Sequence, residues 1–181
     1  MQRGFVGTGT MSNPMARCLI EAGHHLTVHD LRREVTTNLC ELGARWADTP
    51  RAVAEASEVV FTSLAGPTEV EKGVLDPLSG ILAGLRPGGA YIDMTTNAPS
   101  VFRRIAEICR ARGVEVLDAP VSGRPPSATA AYHRRLASPG AAPDRSVALV
   151  CGRPRGAARG ERLPAAVLHP VFRAGWADGT G

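Results

Sequence analysis

Short apolar segments of strand length alternate with longer amphipathic segments through the first two thirds of the chain. The apolar segments cover residues 4–6, 26–30, 58–64, 90–94 and 114–118. The segment at 58–64 (EVVFTSL) contains a run of apolar and β-branched residues, as a strand buried on both faces should. Between the apolar segments, other apolar residues recur at helical spacing, and within 100–113 the residues Val101, Ile105 and Cys109 share one face with Ile108. The pattern predicts repeated strand–helix units.

Residues that begin and end helices stand where this pattern requires them. Gly23 and Gly43 follow the first two helical segments, where glycine commonly ends a helix. Thr49 precedes Pro50, which places a capping side chain before a residue favoured in the first helical turn. A helical stretch over 68–85 is interrupted near Asp76 and the proline after it.

Strand–helix units with short links favour parallel strands joined by right-handed crossovers. About six such units fit into the first 123 residues, which suits an open sheet covered on both faces. The sequence therefore predicts an α/β fold with a doubly wound parallel sheet of the Rossmann type.

A glycine-rich turn at residues 7–12 (GTGTMS) joins the first strand to the first helix. Gly7 permits the tight turn, and Gly9 allows the backbone to approach a pyrophosphate. The helix start then offers N–H groups and the positive end of its dipole. Ser12 stands at the third position, where glycine or alanine is usual because helix and strand pack closely. We expect this serine to weaken a dinucleotide site without excluding it.

Asp30 ends the second strand, 23 positions after Gly7. An acid at that point accepts hydrogen bonds from an adenosine ribose and repels a 2′-phosphate, so it favours NAD over NADP. Arg32 and Arg33 are close in sequence and could partly reverse this preference. The alternative interpretation is a chance glycine pattern followed by a solvated turn aspartate.

Four sequence segments resemble the N-terminal half of the β-hydroxyacid dehydrogenases, a family that includes 3-hydroxyisobutyrate dehydrogenase, tartronate semialdehyde reductase and, more distantly, 6-phosphogluconate dehydrogenase. They are GFVGTGTMSNPMA (4–16), AGHHLTVHD (22–30), LRPGGAYIDMTTNAPS (85–100) and LDAPVSG (117–123). The last is similar to the substrate-binding signature D-A-P-V-S-G-G. The resemblance covers residues 2–123 and implies reversible hydride transfer between NAD and a β-hydroxy acid or its semialdehyde.

The resemblance also implies roles for individual positions. The cofactor-binding positions would be Gly7, Thr8, Gly9, Thr10, Met11, Asp30, Leu64, Ala65, Val70, Thr95 and Thr96. Residues 7–11 would hold the pyrophosphate and Asp30 the ribose; Leu64 and Val70 would lie near the cofactor rings, and Thr95 or Thr96 on the nicotinamide side. Ala65 replaces the proline usual in the family. Ser122 and Gly123 would bind the substrate carboxylate.

The proton-transferring lysine of the family lies well past the D-A-P-V-S-G-G signature, and this chain has no lysine after Lys72. We therefore assign no catalytic residue. Arg124 replaces the second glycine of the signature, and the sequence after it contains little that resembles the family's helical C-terminal domain. The predicted organisation is a dinucleotide-binding domain at 1–123 and an anomalous, poorly ordered tail at 124–181.

The tail is compositionally distinct from the rest of the chain. Residues 1–123 hold 12 Lys and Arg against 14 Asp and Glu, whereas residues 124–181 hold 9 against 3, a balance of −2 followed by +6. A frameshift in a G+C-rich gene, a genuine short protein with a basic tail, and a nucleic-acid-binding tail are the alternatives. Few aromatic residues and no base-reading motif make nucleic acid the least favoured.

Other features bound the class of protein. Apolar residues make up 44% and charged residues 21% of the chain, close to the average of globular domains. No apolar run approaches the roughly 18 residues that a membrane helix needs, and no signal-peptide pattern is present. The four cysteines form no CxxC pair. We expect a cytoplasmic protein without a metal or membrane partner.

Overall fold

The computed structural model of the chain describes residues 2–121, which form a parallel six-stranded sheet with helices packed on both faces. The strands are β1 (Gln2–Val6), β2 (His25–His29), β3 (Arg45–Trp46), β4 (Val59–Thr62), β5 (Ala90–Asp93) and β6 (Glu115–Asp118). Their order across the sheet is β3-β2-β1-β4-β5-β6, and every neighbouring pair is parallel. This is the strand order of the doubly wound Rossmann fold, which confirms the predicted fold class.

The helices connect successive strands. They are α1 (Ser12–Glu21), α2 (Thr37–Glu41), α3 (Pro50–Glu55), α4 (Pro67–Leu75), α5 (Ile81–Gly84) and α6 (Pro99–Ala111), and a 3₁₀ turn at Arg33–Thr36 precedes α2. Thr49 caps α3 as predicted, since its hydroxyl accepts the Ala52 N–H at 3.1 Å. No helix among the described residues is long and apolar enough to cross a membrane.

Two hydrophobic clusters lie on opposite faces of the sheet, because alternate strand residues point in opposite directions. Phe5 and Phe61 stack with ring centroids 5.9 Å apart and pack with Met15 of α1. Val60 and Tyr91 belong to the other cluster, with residues from α3 to α6. Both faces of the central strands are therefore buried, as the continuous apolar run in β4 predicts.

The order of the strands reverses between β1 and β4, which run side by side although they are not consecutive in sequence. The loops after β1 and β4 leave in opposite directions at this point, which opens a crevice at the carboxyl edge of the sheet. The glycine turn at 7–11 follows β1 directly, so the fold sets it at the crevice.

The five predicted strands are present, with boundaries that differ from the predicted ones by at most two residues, and helices lie between them. Strand β3 was not predicted, because its two residues are too few to show an alternation of apolar and polar positions. The second predicted helical segment, which Gly43 follows, is divided into the 3₁₀ turn and the short α2. The predicted tail at 124–181 and the predicted substrate residues Ser122 and Gly123 lie outside the described residues.

Candidate functional site

Gly7 holds the chain in a conformation that other residues rarely adopt. Its φ is +85°, and its N–H donates to the His29 carbonyl oxygen at 2.9 Å. A Cβ at this position would overlap the Ser63 carbonyl oxygen and lie 2.7 Å from Leu64 Cδ2. The turn after β1 is thus wedged between the ends of β2 and β4, and glycine is needed for both backbone angle and space.

Gly9 has the opposite surroundings. A Cβ there would meet no atom within 4 Å, so the space above it is open. Its carbonyl oxygen accepts the N–H groups of Ser12 at 3.1 Å and Asn13 at 2.9 Å, which starts α1. The backbone at Gly9 therefore borders an empty region at the point where a helix begins.

Ser12, the departure from the usual glycine pattern, is accommodated in the turn. Its side chain is buried, and its hydroxyl donates to the Gly9 carbonyl oxygen at 3.4 Å. The serine therefore acts as an additional link within the turn.

The start of α1 presents unpaired donors. Among residues 2–121, no hydrogen bond is made by the N–H groups of Thr10 and Met11, which precede the first helical residue. The first turn of α1 contains no acidic side chain, and Met11 at the N-cap provides no capping hydrogen bond. The positive end of the helix dipole is thus left for an external anion.

Asp30 is bonded to the glycine turn. Its Oδ2 accepts the Thr8 N–H at 2.8 Å and lies 3.4 Å from the Thr8 hydroxyl, while Oδ1 accepts the Arg32 N–H at 3.0 Å. A carboxylate offers about four acceptor positions, so capacity remains for hydroxyl groups of a ligand. Asp30 is half-buried, and these bonds fix its carboxylate beside the turn.

The loop after β4 forms the other side of the crevice. The Leu64 N–H donates to Thr95 Oγ1 at 3.0 Å, which links the loops after β4 and β5. Leu64 is half-buried and Ala65 is exposed, so both present surface to a ligand. Val70 is fully buried in the cluster with Val74, so direct contact with a cofactor would require α4 to move. The burial of Val70 therefore favours a role in supporting the loop after β4 over direct contact with a cofactor.

Thr95 and Thr96 differ although they are adjacent. Thr95 is 4% exposed, its N–H donates to Asp93 Oδ1 at 3.0 Å, and its hydroxyl is occupied by Leu64. Thr96 is exposed. The sequence left open which threonine faces the cofactor, and these surroundings favour Thr96.

Sequence reasoning did not single out a buried acid at the end of β5. Asp93 accepts hydrogen bonds from the Thr62 hydroxyl at 2.9 Å, the Thr95 N–H at 3.0 Å and Asn97 Nδ2 at 3.1 Å. Burial raises the pKa of its carboxyl group. The Tyr91 hydroxyl lies 2.9 Å from Thr62 Oγ1 and extends this group of hydrogen bonds into the sheet. The polar network joins the ends of β4 and β5.

Asp118 stands beside Asp93 in the sheet, as its register partner on β6. Burial, and secondarily the charge of Asp93, raise the pKa of Asp118 to about 6. The signal in sequence was two strands that both end in aspartate, but their adjacency depends on the strand order.

The predicted residues at 7–11, Asp30, Leu64, Ala65, Thr95 and Thr96 all follow the carboxyl ends of parallel strands and so lie at one edge of the sheet. No group of three His, Cys, Asp or Glu side chains within residues 2–121 could hold a metal ion. The edge is therefore a set of backbone and side-chain hydrogen-bonding groups around an open crevice, which suits a phosphate-containing ligand with hydroxyl groups.

Comparison with known proteins gives a family match over most of the chain. Residues 2–140 match the family described as the NAD binding domain of 6-phosphogluconate dehydrogenase. A probable 3-hydroxyisobutyrate dehydrogenase-like protein of Arabidopsis thaliana, named as mitochondrial, is 44% identical over 120 residues, which cover 66% of this chain and 36% of that protein.

Solved structures of other proteins are similar to this chain over nearly three quarters of its length. The 3-hydroxyisobutyrate dehydrogenase of Mycobacterium tuberculosis with L-serine is similar at a TM-score of 0.66 and 32% identity, over 72% of this chain and 44% of that one. Psf3 in complex with NADP+ and 2-OPP is similar at a TM-score of 0.69 and 30% identity, over 72% and 46%. The chain thus spans less than half the length of these relatives.

Proposed function

Since the chain belongs to the family of NAD binding domains of 6-phosphogluconate dehydrogenase, we propose that its first 123 residues are the cofactor domain of a 3-hydroxyisobutyrate dehydrogenase-like oxidoreductase. In this proposal the pyrophosphate lies over residues 7–11 and the adenosine ribose bonds to Asp30. Leu64, Ala65 and Thr96 line the side that receives the nicotinamide. The cofactor is NAD, and NADP binds less well because Asp30 repels a 2′-phosphate.

One observation carries the proposal: the space over Gly9 is open while Gly7 beside it is fully enclosed. Gly23, Gly43 and Gly88 are equally open, but their positive φ requires glycine, whereas Gly9 has no positive φ. Within the folded chain neither backbone angle nor crowding therefore requires glycine at position 9, which leaves the approach of a ligand as the reason for it. An anion placed there meets the N–H groups of Thr10 and Met11 and the start of α1. The family expectation and the local geometry thus agree on the same atoms.

The reaction of the complete enzyme would be hydride transfer between NAD and a β-hydroxy acid or its semialdehyde. NAD supplies the hydride chemistry, and the protein orients the ring and binds the substrate carboxylate, which we assign to Ser122 and Gly123. Proton transfer by a positioned side chain contributes about 10²–10⁴-fold to such reactions. Because no lysine follows Lys72, we expect this chain to bind NAD and to turn over little or no hydroxy acid.

The missing lysine also favours a second candidate, a non-catalytic module that binds a dinucleotide or a partner protein. A partner lost on removal of residues 124–181 would support it. Nucleotide binding alone fits both candidates, so turnover and partner capture are the measurements that separate them.

The test of cofactor binding is isothermal titration of the full chain with NAD+, comparing the wild type with Gly9→Ala. The added methyl group meets nothing in the folded chain, so the variant should retain its unfolding temperature. It should nevertheless lose at least tenfold in NAD+ affinity, because the methyl group occupies the space of the pyrophosphate.

Two results would overturn the proposal. One is a wild-type chain that folds cooperatively and shows no NAD+ or NADP+ binding at millimolar concentration. The other is equal NAD+ affinity for the wild type and Gly9→Ala, which would mean that any binding occurs away from the glycine turn.

A further inference from the structure

Arg33 is held on the indole ring of Trp46. Its guanidinium carbon lies 5.5 Å from the centroid of the ring, within the range of a cation–π interaction. In the part of the chain that the structure describes, Arg33 enters no ion pair with a carboxylate. The stacking contact is therefore what fixes its otherwise exposed side chain.

The ring of Trp46 is fixed from other sides as well. Its Nε1–H donates to Asp48 Oδ1 at 2.9 Å, and its centroid lies 5.6 Å from that of the His29 ring. His29 in turn bonds through Nδ1 to the Ala47 carbonyl oxygen at 2.9 Å. The short strand β3 thus presents Trp46 as a rigid platform.

This platform lies on the side of β2 away from the glycine turn. In the sheet, β2 has β1 on one side and β3 on the other. Asp30 receives the Thr8 N–H from the β1 side. Arg33, three residues later, reaches toward β3. The contacts of Asp30 and of Arg33 thus lie on opposite sides of β2.

We infer that Trp46 is a specificity-determining positioning residue, which holds Arg33 away from the ribose beside Asp30 and so disfavours a cofactor with a 2′-phosphate. The inference rests on the proposed NAD site. An arginine near the end of β2 is the usual partner of a 2′-phosphate. Two arginines follow β2 in this chain, Arg32 and Arg33, and Arg33 is held on the ring of Trp46. To serve as a partner of a 2′-phosphate, Arg33 would have to leave the ring.

The size of the effect follows from the strength of the contact. Exposed cation–π pairs are worth about 0.5–1 kcal/mol, which corresponds to about two- to fivefold in affinity. Removal of the ring should therefore improve NADP+ affinity by about two- to fivefold, and NAD+ affinity should stay within twofold of the wild type.

The experiment is a double-mutant cycle on the full chain, with dissociation constants for NAD+ and NADP+ measured by isothermal titration. Trp46→Leu should lower the ratio of the NADP+ to the NAD+ dissociation constant. Arg33→Ala should leave that ratio nearly unchanged, and the double variant should lose the gain seen in Trp46→Leu. Arg86→Ala, at an exposed arginine in the turn before β5, in the Trp46→Leu background is the control, and it should keep the gain.

Trp46→Phe keeps an aromatic face and loses the bond to Asp48, so it should retain most of the wild-type ratio and serves if Trp46→Leu unfolds. The inference is overturned if Trp46→Leu binds NAD+ normally with an unchanged ratio, or if its gain survives in the double variant. A failure of the proposed site would look different, because then neither dinucleotide would bind the wild type.

Discussion

The Asp30 carboxylate accepts the N–H of Thr8 at 2.8 Å, so the end of β2 is bonded directly to the glycine turn that follows β1. The bond orients the carboxylate before any ligand arrives. It also uses a charged acceptor, which makes the bond stronger than one between neutral groups. The acid and the turn should therefore act as one unit in both binding and stability.

The first prediction separates the charge of Asp30 from its role as an acceptor. Asp30→Asn keeps one oxygen for the Thr8 N–H, loses the acceptor of the exposed Arg32 N–H and removes the negative charge, so it should fold with only a small loss of stability. Its NAD+ affinity should fall about tenfold, and discrimination against NADP+ should be reduced, because charge-assisted bonds to the ribose and repulsion of the 2′-phosphate are both lost. Isothermal titration with both dinucleotides measures this.

Asp30→Ala is the companion variant. It should bind NAD+ as poorly as Asp30→Asn and in addition lose stability, because the Thr8 N–H is left without its acceptor. Equal NAD+ affinity for the wild type and Asp30→Asn would show that the carboxylate has no contact with the cofactor.

The second prediction concerns the enclosed glycine. Gly7→Ala must adopt a φ of +85° and overlap the Ser63 carbonyl oxygen, so it should lower the free energy of unfolding by at least about 2 kcal/mol. Gly9→Ala has room for its methyl group and is the matched control, with an unfolding free energy near that of the wild type. Urea denaturation followed by circular dichroism distinguishes the two, and equal midpoints would contradict the described turn.

Much of this arrangement could be predicted from sequence because its signals are local. The period of apolar residues located the strands, and glycines 23 and 43 at positive φ end the helices where predicted. The spacing of Gly7 and Asp30 predicted that both serve one ligand site, and in the structure they follow the neighbouring strands β1 and β2. The bond from the Thr8 N–H to Asp30 was not predicted. Local pattern and fold geometry coincide at these positions.

The remainder depends on contacts between distant segments. The sequence around Trp46 shows no periodic pattern of apolar residues. Its role follows from its contacts with His29 and Arg33, which only the folded chain brings next to it. The sequence could not show which of Thr95 and Thr96 faces the cofactor, because the bond from the Leu64 N–H to Thr95 depends on the fold. The pairing of Asp93 with Asp118 needed the strand order, because 24 residues separate them in the chain.

The third prediction follows from the raised pKa of Asp118, which is about 6 in the folded chain. Between about pH 4 and 6 the folded state keeps a proton that the unfolded state has lost, so this group makes stability fall as pH rises. Asp118→Asn should therefore be more stable than the wild type at pH 7, by roughly 1 kcal/mol after solvent screening, and equally stable at pH 4. Thermal unfolding at both pH values measures the difference.

Asp76 provides the opposite case as a control. The N–H groups of Ser79 and Leu78 donate to its carboxylate, and they lower the pKa of Asp76. Its contribution is present at neutral pH and is lost as pH falls through the lowered pKa. Asp76→Asn should thus be less stable than the wild type at pH 7. If both asparagine variants shifted stability in the same direction at pH 7, the assigned environments would be wrong.

The fourth prediction concerns the link between the loops after β4 and β5. Thr95→Val removes the acceptor of the Leu64 N–H and should cost about 1–3 kcal/mol, because that N–H is left partly buried without a partner. Thr95→Ser keeps the oxygen and should lose about 1 kcal/mol or less, for the missing methyl group. Unfolding free energies of the two variants test the link, and a valine variant as stable as the serine one would contradict it.

The central claim is that a dinucleotide binds across the glycine turn and the end of β2. Titration of the ¹⁵N-labelled full chain with NAD+, followed by amide chemical shifts, tests it most directly. The largest shifts should fall on the amides of Gly9, Thr10 and Met11, with Leu31 and Arg32 beside Asp30 next. In Gly9→Ala these shifts should need at least tenfold more NAD+ to reach half of their final size. Saturable shifts confined to other parts of the chain, with these amides unchanged, would contradict the account.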